Sequence, residues 1–444
     1  MNKYNIIQVS NSLGVSQAIV AGWEKSGKLV PIRCGKETYY TDELLQHLDI
    51  FKQFKNSTWD QEQQIKPNRN YTSIELFAGA GGLALGLEQA GFKVALLNEM
   101  DKHAGNTLKE NRPDWNVTIG NVTGLDFSHF KDKIDFLSGG FPCQAFSYAG
   151  NKQGFGDTRG TLFFEFARAI EEIRPRVFLA ENVRGLLSHE NGRTIETIKH
   201  KIKEIGYTLI EPEVLKAIYY RVPQKRERLF LIGIRNDLAE KFNFAWPSKY
   251  NRVMTVKDAL KKGELFNCDV PESKGQTYPQ RKKEILDLVP PGGYWRNLTD
   301  DIQREYMKKS YFLGGGKTGM ARRLSWYEPS LTLTCSPAQK QTERCHPDKT
   351  RPLTVREYAR IQTFPDNWAF SGPLTSQYKQ IGNAVPVNLA KAVGTSLISL
   401  LNSLENNKPS ITYPIENLNI HPQQMNFLWE KRAKYLIKSS NFGY

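Results

Sequence analysis

Residues 71–92 read YTSIELFAGAGGLALGLEQAGF, an apolar strand running into a glycine-rich turn and then into a helix. Gly79, Gly81 and Gly82 lack the Cβ that would hold a ligand away, so the backbone can approach one closely at the strand's carboxyl end. Open α/β sheets bind their cofactors at that end. The turn reads G-A-G-G and does not fit the dinucleotide spacing G-x-G-x-x-G.

The next strand, KVALLNEMD (93–101), ends in two acidic residues. A carboxylate about 20 residues beyond the glycines can accept both hydroxyls of a ribose. Glu99 is chosen over Asp101 for that role. Glycine turn and acidic strand end imply a nucleoside cofactor and leave NAD and S-adenosylmethionine both open.

Downstream, strand-like and helix-like segments alternate: IDFLSGGF, a helix around Phe163–Ile173, RVFLAENV and RLFLIGIR. This alternation predicts an α/β fold with a mostly parallel sheet covered on both faces. Upstream, 51–70 is polar, with QEQQIKPNRN, and reads as a linker. Residues 1–50 form a separate unit. A short helix over Ile7–Leu13, a turn at Gly14, a second helix capped by Ser16 and running to Glu24, and a hairpin in GKLVPIRCGKETYYT are expected. That pattern resembles the winged helix-turn-helix of excisionase-like and MerR-like proteins, whose second helix enters the major groove. DNA contact and a packing or dimerisation role are both open.

Two further strand ends carry chemistry. GGFPCQAFSYAG (139–150) places Cys143 just after a strand, on the cofactor side of the sheet. The glycines that follow, Gly150, Gly154, Gly156 and Gly160, suit a loop that closes over a substrate. RVFLAENV brings Glu181 and Asn182 to the same edge, where a part-buried carboxyl can hold a proton to donate. In PQKRERLFLIGIR, alternation puts Arg226 and Arg228 on one strand face. Paired guanidiniums there can hold a carboxylate, a phosphate or a base oxygen.

The chain has 444 residues and a net charge of +15, which favours a polyanionic partner. Residues 237–350 hold 20 basic and 14 acidic residues, interleaved with aromatics. No apolar run approaches the ~20 residues of a membrane helix, and the first residues have no signal-like pattern, so a cytoplasmic protein with no membrane partner is expected. The five cysteines are scattered without a C-x-x-C pair, so neither a disulfide framework nor a metal site is expected.

In combination, ELFAGAGGL, NEMD, GGFPCQAFS, ENVRGL, QKRERLFLIGIR, RPLTVREYARIQTFPD and QIGNAVPVNLAKAVG closely resemble the DNA (cytosine-5) methyltransferase family. The resemblance implies a Rossmann-like sheet that binds S-adenosyl-L-methionine, with a smaller target-recognition domain. The implied boundaries are 71–235 for the catalytic and cofactor-binding domain, 236–350 for target recognition, 351–402 for the return to the catalytic domain, and 403–444 for a tail. It implies that Cys143 attacks C6 of a flipped cytosine and that Glu181 protonates N3. Arg228, with Arg226 near it, would hold O2. Pro142 and Gln144 would shape the turn and the loop that replaces the base.

On the cofactor, Phe77 would stack on adenine, Gly79 and Gly82 would lie beside the methionine part, and Glu99 would hold the ribose. Asn383 would close the pocket, with its C-terminal helix packing back on the first strand. Asn121 stands where an aspartate usually meets the adenine amino group, and Met100 where an aromatic is frequent. Thr332, Leu333 and Ser147 would face DNA, Gly314–Gly316 would let the backbone into the major groove, and Cys335 and Cys345 would be packing residues.

The partner implied is double-stranded DNA bound by a monomer, with a cognate restriction endonuclease acting on the same site without contacting this chain. A tRNA-directed enzyme of the same fold, a combined methyltransferase and transcriptional regulator, and a dehydrogenase are the alternatives.

Overall fold

The computed structural model describes residues 3–13, 15, 17–35, 37–142, 162–239 and 244–406. Cys143, Gln144, Ser147 and the glycines from Gly150 to Gly160 lie outside the described residues, as do Gly14, Ser16 and nearly all of the expected tail.

The N-terminal unit consists of β1 (Lys3–Tyr4), α1 (Ile6–Leu13), α2 (Gln17–Lys25), β2 (Ile32–Cys34), β3 (Glu37–Thr41) and α3 (Asp42–Leu45). β1 and β2 both pair antiparallel with β3. Val9, Leu13, Val20, Leu29 and Tyr40 fill the space between helices and wing. The expected linker is instead built from α4 (Asp49–Lys55) and α5 (Trp59–Glu62). Its few apolar side chains explain the difference, because they are buried rather than exposed. Phe54 meets Tyr219 edge-on, and Trp59 packs on Tyr220 and Tyr250. Thr58 and Glu62 hydrogen-bond to Ser248. The N-terminal unit and the catalytic sheet thereby share one hydrophobic core.

The main domain follows the expected alternation. Its elements are β4 (Tyr71–Leu76), α6 (Gly82–Ala90), β5 (Phe92–Glu99), α7 (Lys102–Asn111), β6 (Val117–Ile119), β7 (Phe136–Gly139), α8 (Leu162–Ile173), β8 (Val177–Asn182), α9 (Arg193–Glu204), β9 (Tyr207–Leu209), β10 (Glu213–Lys216), β11 (Gln224–Lys225) and β12 (Glu227–Arg235). Among the described residues the central sheet has eight strands, in the order β10-β12-β8-β7-β4-β5-β6, with β9 also on β12. The five strands from β8 to β6 run parallel. β12 reverses direction against β8, and β9 and β10 pair antiparallel with β12.

After α10 (Val256–Leu260) come α11 (Gln280–Asp287), α12 (Asp300–Met307) and β13 (Ser330–Leu331); α13 (Val355–Ile361), α14 (Leu374–Asn383) and α15 (Val387–Asn406) complete the fold. A separate small core runs from Tyr278 to Cys345. This core is narrower than the expected segment 236–350. Residues 244–250 pack with the N-terminal helices, and Val256, Ala259 and Leu260 belong to the catalytic core.

α15 packs chiefly on α6 and also meets the first strand at Tyr71, whose hydroxyl donates to Asn402. The crossing is close because of glycine: a Cβ on Gly86 would lie 2.4 Å from Ala390 Cβ. The stretch Leu374–Glu405 is long and apolar enough by composition to cross a membrane, and 72% of its most apolar window is buried inside the protein, as in a core helix.

Candidate active site

The carboxyl ends of β4, β5, β7 and β8 lie along one edge of the sheet, and antiparallel β12 begins at that edge. The β4–α6 turn is tightly wound. Phe77, Gly79 and Gly81 have φ of 59°, 56° and 84°, a region costly for a residue with a side chain such as Phe77. Gly79 N–H donates to Glu99 Oε2 at 2.7 Å, and Asp101 N–H donates to Glu99 Oε1 at 2.7 Å. The carboxylate is thus fixed at the end of β5, facing the turn. No atom lies within 4 Å of where a Cβ on Gly79 would be. This open space beside a carboxylate and an aromatic ring suits a nucleoside.

Packing and hydrogen bonds define the surroundings of three further residues at this end of the sheet. Gly82 is closely packed on one side: a Cβ there would lie 2.3 Å from Val385 O, so glycine lets α6 begin against the C-terminal segment. Asn121 is exposed and uses Oδ1 to accept from Thr123 N–H at 3.1 Å, capping a short helical turn. Its place beside Glu99 is set by the buried Asn98, whose Nδ2 donates to Thr118 O and Gly120 O. Asp101 caps α7 and pairs with Lys379 at 3.0 Å.

At the middle of the edge, β7 leads through Gly140, Phe141 and the exposed Pro142 towards Cys143. Asn182 Nδ2 donates to Phe141 O at 2.8 Å, tying this segment to β8. A Cβ on Gly140 would lie 2.9 Å from Glu181 Oε2. Glycine at that position therefore lets the chain leading to the cysteine pass directly against the Glu181 carboxylate. Arg228 Nε stands 2.5 Å from Glu181 Oε1. The Nε–H is not aimed along that line, so the contact is an ion pair rather than an aligned hydrogen bond. Arg228 Nη1 donates to Glu227 O.

Arg226 does not share a strand face with Arg228. The chain breaks between β11 and β12 at this residue, so strand alternation does not apply across it. Arg226 is 2% exposed; Nη1 donates to Leu333 O at 3.2 Å, and Nη2 to Gly382 O at 3.0 Å and Asn383 O at 3.3 Å. Burial, and secondarily the Arg228 charge, push its pKa down to about 9. It is a buried cross-brace between these backbone segments.

Leu333 is likewise buried, at 1% exposure, and belongs to the core. Thr332 is half-buried and donates to Lys225 O at 2.5 Å. Asn383 ends α14 with an exposed side chain, and Gly314–Gly316 are exposed. Cys345 is buried as expected, but Cys335 is exposed, with Sγ 3.3 Å from Asn383 Oδ1.

Sequence reasoning missed Glu75. It sits fully buried in β4, where burial pushes its carboxyl well above the usual range, helped by the charges of Glu181 and Glu99. Ser138 Oγ donates to it at 3.4 Å. The available signal was an acid inside an otherwise apolar strand, SIELF.

A family model described as C-5 cytosine-specific DNA methylase matches residues 71–399. The chain belongs to this family. A second model, MerR HTH family regulatory protein, matches residues 4–71, which takes in both the helix-turn-helix unit and α4 and α5. The Type II methyltransferase M.Eco47II of Escherichia coli is 62% identical over 404 residues, 90% of this chain and 97% of that protein. M.Sau96I of Staphylococcus aureus is 52% identical over 342 residues, 76% of this chain and 78% of that one. A crystal structure of a putative DNA modification methyltransferase encoded within a prophage of E. coli aligns with a TM-score of 0.59 and 27% identity, covering 75% of this chain and 100% of that one. This C-5 cytosine DNA methyltransferase is thus an enzyme that acts on DNA, and the dehydrogenase reading falls away.

Proposed function

We propose that the enzyme flips one cytosine out of a specific duplex site and methylates C5 through a covalent adduct to Cys143. The carrying observation is the Glu181–Arg228 pair, held against Gly140 three residues before the cysteine. A base in the duplex exposes neither C6 nor its Watson–Crick edge to a pocket, so extrusion is required.

In this reading a bond forms between the Cys143 thiolate and C6. The ring double bond shifts to C4–C5 as N3 takes a proton from Glu181, which leaves C5 nucleophilic without charge building up in the ring. Arg228 holds O2 and neutralises charge there. Once C5 carries its methyl group, a solvent water takes the C5 proton, the C5–C6 double bond re-forms as the C6–Sγ bond breaks to release the thiolate, and N3 returns its proton to Glu181. Pro142 and Gln144 shape the turn that presents the thiol, and Thr332 and Ser147 contact DNA beside the target base.

The methyl donor proposed is S-adenosyl-L-methionine, which when bound supplies an electrophilic methyl group on its sulfonium sulfur. Glu99 would hold its ribose, Phe77 its adenine and Asn121 the adenine amino group, while Gly79 leaves room for it and Asn383 borders the pocket. The open space at Gly79 and the fixed Glu99 carboxylate fit that group.

The biological reading is protection of host DNA in the cytoplasm, with the enzyme acting as a monomer and a cognate endonuclease acting on the same site without touching it. The Type II methyltransferase relatives support the protective role. The test is a duplex carrying 5-fluorocytosine at the target: fluorine cannot leave C5 as a cation, so the adduct stalls. A denaturation-resistant complex is expected, and it is lost in Cys143→Ser. Adduct formation with tRNA alone would favour the tRNA-directed alternative.

A further inference from the structure

The end of α14 and the recognition segment Thr332–Cys335 meet in three independent ways. A Cβ on Gly382 would lie 2.2 Å from Thr334 O and 2.9 Å from Cys335 N, so only glycine lets the two backbones touch. Buried Arg226 spans the junction, with Nη1 on Leu333 O and Nη2 on Gly382 O and Asn383 O. At its surface the exposed Cys335 Sγ–H donates to Asn383 Oδ1 at 3.3 Å. Neither the family pattern nor the covalent mechanism gives Cys335 any part.

We propose that Cys335 is a positioning residue that orients the Asn383 amide, so that cofactor affinity depends on how DNA seats the recognition segment. The inference rests on the reading above that Asn383 borders the cofactor pocket and Thr332 lies beside the target base. An amide offers a donor on one side and an acceptor on the other. A thiol held on Oδ1 leaves Nδ2 as the group turned elsewhere. Cys335 is three residues from Thr332 in the segment that follows β13, so DNA that moves Thr332 moves the thiol. Coupling of this kind is reciprocal, and the cofactor must tighten DNA by the same factor.

The experiment uses the full-length enzyme with S-adenosylhomocysteine as probe, its binding measured calorimetrically with and without plasmid DNA that the wild type methylates. In the wild type, DNA is expected to tighten the probe. In Cys335→Ala, with an unchanged thermal midpoint because the thiol is exposed, the probe should bind about three- to tenfold more weakly and no longer respond to DNA. Cys335→Ser, which keeps a donor, should restore most of both effects, whereas a merely structural role would not discriminate Ser from Ala in this way. Equal probe affinity and equal DNA response in Cys335→Ala and wild type would overturn the proposal. So would a wild type whose probe affinity ignores DNA. A wild type that binds the probe yet methylates no DNA would instead remove the functional reading beneath it.

Discussion

Arg228 Nε lies 2.5 Å from Glu181 Oε1, with the two side chains only 11% and 13% exposed. Their strands, β12 and β8, run antiparallel with Phe230 opposite Glu181, which puts Arg228 just beyond the end of β8. The carboxylate and the guanidinium are thus paired at the sheet edge.

Glu181→Gln keeps the shape of the site and removes the proton. Turnover should fall by about 10²–10⁴, and the thermal midpoint should fall as well, because Arg228 loses its counter-charge. Steady-state methyl transfer to plasmid DNA measures the first, and thermal unfolding the second.

Arg228→Met should be the more destabilising change, because it leaves the Glu181 carboxylate without its counter-charge in a mostly buried site. A loss of about 3 kcal/mol in denaturant unfolding is expected. The double variant Glu181→Gln, Arg228→Met should lose less than the sum of the two single changes.

Gly86→Ala opposes two effects of known size. Alanine is favoured over glycine in a helix by ~1 kcal/mol. At the α6–α15 crossing, however, the added methyl meets Ala390 Cβ and Val387 O at 2.4 and 2.6 Å, and overpacking typically costs ~1–3 kcal/mol. The crossing should prevail, giving a net destabilisation measurable by urea unfolding.

His346 supplies a pH signature. Its Nδ1 accepts from Asp348 N–H and Lys349 N–H, and burial pushes its pKa from 6.5 down to about 4. The unfolded chain therefore binds this proton first as pH falls, and the folded state loses stability between about pH 6.5 and pH 4. The upper part of that window lies above the titration of ordinary carboxylates. His346→Gln should flatten the decline there, as followed by unfolding at stepped pH.

The alternation of strands and helices, the glycine turn, Glu99 and Glu181 were legible because each sits in a segment with one dominant period. Legibility failed where contacts come from far along the chain. Arg226 read as a partner of Arg228 because alternation was carried across a break between strands, and Leu333 read as a DNA contact although the core covers it. The polar composition of 51–70 hid α4 and α5, since two aromatic anchors, Phe54 and Trp59, suffice to bury them against tyrosines near 220 and 250.

That packing changes what removal of the N-terminal unit reports. Trp59 is 6% exposed within the shared core, and Trp59→Ala should cost about 3–5 kcal/mol. Deletion of residues 1–70 should reduce soluble, active enzyme in parallel, as read by yield and specific methylation. Full activity after deletion would mean that the aromatic seam contributes little.

The most direct test of the central claim maps 5-methylcytosine by bisulfite sequencing in DNA from cells expressing this protein or its Cys143→Ser variant. Methylation at one duplex sequence motif is predicted with the wild type and none above background with the variant. An unmethylated genome with the wild type, or the same methylated motif with Cys143→Ser, would contradict it.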